Sequence, residues 1–184
     1  MFTSGAVKMD RETNAQILSI GLGAGYINSY LRSVYPKMNI TVVEIESKMV
    51  KIAQKWFSLV LDNLHRVIVM DGIEFLRKAA MEEQRYDVIH IDACTHETKH
   101  SIESFVRCPV PGFFTPESVG NIFKILNKRE RRFDVIHIDA CTHAAKKPVE
   151  SFVRCPVPGF FTPESVGNIF KILNKRGMSS CLGH

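Results

Sequence analysis

The stretch that decides the fold is Ala15-Gln16-Ile17-Leu18-Ser19-Ile20-Gly21-Leu22-Gly23-Ala24-Gly25, an apolar run that stops at a cluster of glycines. Such a run, strand-sized and ended abruptly by glycine, predicts a buried parallel strand leading into a tight turn. Glycine is needed where the main chain turns sharply and a ligand must approach the backbone. The dinucleotide fingerprint is G-x-G-x-x-G, and Tyr26 stands where its third glycine belongs. The spacing here is G-x-G-x-G, which argues against NAD.

After the turn, Ile27, Tyr30, Leu31 and Val34 recur at helical spacing, and Pro36 ends the segment. Ile40-Thr41-Val42-Val43-Glu44 predicts a second strand. Ser47 is the expected cap of a helix whose buried face is Met49, Val50, Ile52, Ala53, Trp56 and Phe57. Residues 67–70 predict a third strand, 73–80 a helix, and 87–91 a fourth strand. A longer loop follows. Thr115-Pro116-Glu117 then marks a helix start, with Thr as cap, Pro at the first position and an acid in the first turn. That helix is expected to end near Leu126. Four strand–helix alternations with short connections predict an α/β fold, a doubly wound and mostly parallel sheet with helices on both faces.

The candidate site lies at the strand ends. Glu44 closes the second strand, about twenty residues after the turn, where a carboxylate can accept both hydroxyls of a ribose. Asp71-Gly72 closes the third strand and Asp92 the fourth. Taken alone, Asp71 reads equally well as a helix cap. A glycine turn and three acids in register at one crevice read better as a ligand site, because open α/β sheets bind ligands there.

With these residues in place, Ile17–Gly25, Val42-Val43-Glu44-Ile45-Glu46, Ala53-Gln54-Lys55-Trp56-Phe57, Met70-Asp71-Gly72 and Tyr86–Asp92 resemble the spermidine-synthase-like branch of the class I S-adenosylmethionine-dependent methyltransferases. Within that branch the chain most resembles the methyltransferase-like 13 group, which methylates elongation factor 1-alpha. Cys108-Pro109-Val110-Pro111-Gly112-Phe113-Phe114 and the helix after it share the resemblance, which runs from about Ile17 to Leu126. It implies S-adenosylmethionine as cofactor and a Rossmann-like methyltransferase fold. Gly21, Gly23 and Gly25, with Leu22 between them, would line the methionine and ribose. Glu44 would bind the ribose hydroxyls and Ile45 would lie against the adenine. Asp71 would hold the adenine amine, with Gly72 beside it. Asp92 would face the methionine amine or the acceptor, as the catalytic carboxylate.

The second half is dominated by a duplication: residues 83–129 recur almost unchanged at 130–176. The expected organisation is an extension at 1–14, a partial S-adenosylmethionine-binding domain at 15–129, a tandem copy at 130–176 and a tail at 177–184. Two copies are too few for a solenoid. In the family, the Leu126-Asn127-Lys128-Arg129 type of ending leads into a fifth strand and two more. Here the repeat follows instead, so the sheet is expected to be C-terminally incomplete. Phe133 to Ile138 is expected to stand in as strand five, beside 87–91.

Composition fits a soluble, core-forming protein, at 45% hydrophobic and 23% charged residues in 184. The apolar runs are strand-sized, so no membrane span is expected, and the N-terminus has no signal-peptide pattern. A cytoplasmic location with reduced thiols follows, with Cys94, Cys108, Cys141 and Cys155 counting as two duplicated positions. The net charge of +5 is partly collected in Lys124, Lys128, Arg129, Arg131 and Arg132. This reads as a solvated helix end rather than a nucleic-acid site. His90, Asp92, Cys94 and His96 alternate as metal ligands could. A buried strand with a satisfied His90 accounts for them better, and no metal is assigned. Phe113-Phe114 reads as core packing before cofactor shielding. The function implied is methyl transfer to a protein amine. The alternatives are aminopropyl transfer to a polyamine, against which Asp92-Ala93-Cys94-Thr95-His96 lacks a second acid, and a catalytically inactive truncated paralogue.

Overall fold

The computed structural model describes residues 7–8, 10–97, 105–107, 109–127, 135–138, 142–145 and 151–154. The first strand, β1 (Gln16–Ile20), is followed by α1 (Tyr26–Val34), β2 (Asn39–Glu44), α2 (Ser47–Trp56), β3 (His65–Val69), α3 (Gly72–Met81) and β4 (Val88–Ile91). Two short strands, β5 (Thr95–Glu97) and β6 (Phe105–Arg107), precede a 3-10 turn at Pro111–Phe114 and α4 (Pro116–Ile125). Three strands of the second copy follow: β7 (Val135–Ile138), β8 (Thr142–Ala145) and β9 (Ser151–Arg154).

Five strands form one sheet in the order β3-β2-β1-β4-β7, and every pair in it is parallel. The doubly wound α/β expectation is met. β1 sits in the middle because four of its five residues are buried and it can be covered on both faces. On one face, Leu18, Ile20 and Ile89 pack with Phe75, Leu76 and Ala79 of α3 and with Ile122 and Ile125 of α4. On the other, Ile17, Ile40, Val42 and Val88 pack with Leu31 of α1 and Ala53 of α2. Burying each large aliphatic side chain stabilises by about 1.5–3 kcal/mol.

β7 pairs with β4 in the register Val88↔Val135, Ile89↔Ile136, His90↔His137 and Ile91↔Ile138. The second copy of the strand therefore lies in register beside the first, in the place expected of strand five. The long loop expected after β4 contains structure that the sequence did not signal. β5 and β6 form a hairpin, and β6 pairs with β8 of the copied hairpin β8–β9, giving a four-stranded antiparallel sheet. The rest of the second copy, including its counterpart of α4, and the tail lie outside the described residues.

Two expectations about helices need correction. The cap of α2 is Glu46, whose side chain accepts from the Lys48 N–H at 3.1 Å, and Ser47 is the first helical residue. The buried faces of α1 and α2 are also narrower than their apolar patterns. α1 buries Asn28 and Leu31, while Ile27 and Tyr30 are exposed. α2 buries Ala53 alone, with Ile52 and Trp56 exposed. A helix resting on the sheet through an alanine approaches it closely, and the flanking large side chains are left outside.

Candidate functional site

The sheet register brings the predicted site residues to one edge. Gly21 N–H bonds the Val43 carbonyl at 2.8 Å, Asp92 N–H the Ile20 carbonyl at 2.8 Å, and Met70 N–H the Glu44 carbonyl at 3.1 Å. The ends of β1, β2, β3 and β4 are thus held level, which sets the glycine turn, Glu44, Asp71 and Asp92 along the same edge of the sheet.

The turn is built as its glycines require. Gly21, Gly23 and Gly25 all have positive φ, at 96°, 52° and 77°, a region side chains rarely adopt. At Gly21 a Cβ would lie 2.2 Å from the Asp92 carbonyl oxygen, so the backbones of the two strand ends touch there. Gly25 is the N-cap of α1 and supplies no side chain to the helix start. Gly23 faces open space and leaves the approach to the turn clear. Leu22 contributes only backbone to this surface, since its side chain is buried in the core beneath α1.

Glu44 is buried, and both of its carboxylate oxygens are anchored. Oε2 accepts from Leu22 N–H and Oε1 from Glu46 N–H, each at 2.9 Å. Each oxygen has a further lone pair for a hydroxyl donor. Ile45, next in the chain, has its side chain exposed. Asp71 caps α3, its Oδ1 accepting from Ile73 N–H at 2.8 Å and Glu74 N–H at 3.0 Å. The cap and ligand readings of Asp71 are compatible, because capping occupies one oxygen. Gly72 answers to packing: a Cβ there would lie 2.5 Å from Ile20 Cγ2 and 3.0 Å from Phe113 Cζ. Phe113 is a core residue at this point, and its pairing with Gly72 had no signal in the sequence beyond an aromatic after a proline loop.

Asp92 is exposed at the end of β4. The Cys94 sulfur lies 3.6 Å from Asp92 Oδ1. His90 is buried, with Nδ1 3.3 Å from Ser19 Oγ, so it has the satisfied-neighbour environment expected of it. A cavity of about 320 Å³ between the first turns of α3 and α4 meets the site only through Asp71.

A parallel sheet in this order, with a G-x-G-x-G turn after the first strand and an acid ending the second, can be compared with known proteins. Human methyltransferase-like protein 13, solved with SAH, aligns over 94% of this chain and 86% of its own at a TM-score of 0.55 and 19% identity. The fold is that of the class I methyltransferases. The chain is also homologous to the eEF1A lysine and N-terminal methyltransferases. The Drosophila melanogaster homologue is 26% identical over 119 residues, 65% of this chain. It is similar, at 34% identity over 82 residues, to a polyamine aminopropyltransferase of Vibrio vulnificus, covering 45% of this chain and 27% of that protein. No family model matches the chain. The chain spans only 17% of the Drosophila relative's length. Among the described residues, no helix is long and apolar enough to cross a membrane.

Proposed function

We propose that this chain is an S-adenosylmethionine-dependent methyltransferase acting on a protein amine, with elongation factor 1-alpha as the candidate acceptor and the cytoplasm as the setting. The observation that carries the reading is the anchoring of Glu44. Its carboxylate is fixed by two backbone N–H groups, one of them from the glycine turn itself. The crevice fits the cofactor in the chemistry of its groups. A fixed buried carboxylate suits a pair of ribose hydroxyls, the exposed Ile45 suits an adenine face, and the open turn at Gly23 admits a ligand to the main chain.

When bound, S-adenosylmethionine supplies a methyl group already activated on a sulfonium. The protein therefore has mainly to position the acceptor and exclude water. Glu44 and Asp71 would hold the nucleoside end, and the backbone of Gly21 and Gly23 would hold the other. Asp92, exposed at the crevice, takes up the proton of an amine acceptor or steadies its charge.

Calorimetric titration of S-adenosylmethionine into the full chain tests this reading. Micromolar binding that is lost in Glu44→Ala is the expected result, and a folded chain that does not bind would overturn it. The similarity to the Vibrio vulnificus aminopropyltransferase supports a second reading, transfer from decarboxylated S-adenosylmethionine to a polyamine. Product formation with putrescine, and none with protein acceptors, would favour that reading.

A further inference from the structure

Four side chains that the apolar pattern assigns to buried helix faces stand in solvent instead: Ile27 at 50% exposure, Tyr30 at 61%, Ile52 at 40% and Trp56 at 69%. α1 and α2 cover the same face of the sheet. The segment after α2 touches the start of α1. The rings of Tyr26 and Phe57 meet edge to face at 5.5 Å, and Leu59 lies against Gly25. Large apolar side chains left exposed on two helices of one sheet face are the raw material of an interaction site.

Charge selects what covers it. Lys48, Lys51 and Lys55 recur at i, i+3 and i+7 and so form one stripe along α2, beside Ile52 and Trp56. All three are exposed, and none is in an ion pair among the described residues. Arg32 and Lys37, by contrast, are matched to Asp62 and Glu12. Lys55 Nζ sits 5.0 Å from the centre of the Trp56 ring, leaving the lysine beside the aromatic surface. A second copy of the chain is a poor occupant, because a two-fold contact would set one lysine stripe against another. A nucleic acid would use the lysines and leave Ile27 and Ile52 without a role.

We propose that the outer face of α1 and α2 docks an acidic, amphipathic helical segment of a partner protein. Its apolar side chains would lie on Tyr30, Ile52 and Trp56, and its carboxylates on Lys48, Lys51 and Lys55. Tyr30, Ile52, Trp56 and the three lysines are not among the residues assigned to the cofactor, and the proposal does not depend on methyl transfer.

Trp56 is the only tryptophan of the chain, so its emission reports directly on the surface. The probe is a designed helical peptide with leucines at i, i+3, i+4 and i+7 and glutamates elsewhere, titrated into the full chain. The expected result is a blue shift of Trp56 emission and protection from iodide quenching. Binding should weaken at least roughly tenfold in K48E/K51E/K55E, in Ile52→Ser, and when glutamine replaces glutamate in the peptide. Thermal melting and S-adenosylmethionine titration should be unchanged in both variants, which separates lost docking from misfolding and from any failure of the cofactor site. No shift with the acidic peptide, or equal binding of the glutamine peptide, would overturn the proposal. So would preferential binding of polyuridine or of phosphatidylserine vesicles, which would make this a nucleic-acid or membrane face.

Discussion

Leu22 donates its backbone N–H to the buried carboxylate of Glu44 at 2.9 Å, fastening the turn after β1 to the end of β2. The same side chain accepts from Glu46 N–H, so one residue organises two backbone segments and faces the crevice between them. Glu44→Ala should therefore do two things. It should abolish S-adenosylmethionine binding, read by calorimetry. It should also destabilise the fold by about 1–3 kcal/mol, read by urea unfolding, since the turn loses a charged acceptor.

Gly21 and Gly23 should differ sharply when changed to alanine. At Gly21 the new Cβ meets backbone, 2.2 Å from the Asp92 carbonyl oxygen, at a φ of 96°. Neither strand end can yield without breaking the sheet, and a loss of about 3 kcal/mol or more is expected. At Gly23 the Cβ enters open space and only the φ of 52° is unfavourable, so about 1–2 kcal/mol is expected. Melting temperatures of the two variants give the comparison.

Asp87 is an acid of the opposite kind. It is buried at the start of β4, accepting from Gln16 N–H at 2.8 Å and Asn127 Nδ2 at 2.7 Å. It lies at the far end of the strands from the crevice. Asp87→Ala should destabilise by about 2 kcal/mol while leaving the affinity of the folded protein for S-adenosylmethionine unchanged. A matched fall in affinity would show that the two sheet ends are coupled.

His65 should make stability depend on pH. It is fully buried at the start of β3, and desolvation holds its pKa below the usual 6.5. A hydrogen bond with the Val60 backbone and the charge of Asp62 pull the other way, and Arg32 adds to the lowering. In the unfolded chain the ring binds a proton at a higher pH than in the fold. Stability is therefore complete above about pH 6.5 and is lost as the pH falls through the depressed native value. Urea unfolding across this window should show the slope in the parent chain and a flatter profile in His65→Leu.

Much of the site was legible because its requirements are local. Gly21, Gly23 and Gly25 are spaced for a turn with positive φ, and Glu44, Asp71 and Asp92 each end an apolar run. Thr115, Pro116 and Glu117 likewise marked the start of α4, and the Thr115 hydroxyl does accept from Ser118 N–H at 3.2 Å. Contacts between distant segments were not legible. Nothing in the sequence required a side-chain-free residue at 72 until Phe113 and Ile20 were seen to converge there. The β5–β6 hairpin is short, and its strands are completed by the copied hairpin, so neither has a pattern strong enough to be read alone.

By itself the sequence determined the alternation of strands and helices, the glycine turn and the acids at the strand ends, because backbone geometry and hydrophobic period are properties of neighbouring residues. Only the tertiary structure decided which copy of Val-Ile-His-Ile lies centrally and which lies beside it, since two identical strands have the same local preferences. It also decided that Tyr30, Ile52 and Trp56 face outward. Helical spacing gives a stripe its apolar character, but how closely the helix approaches the sheet, here through Ala53, sets how much of that stripe is buried.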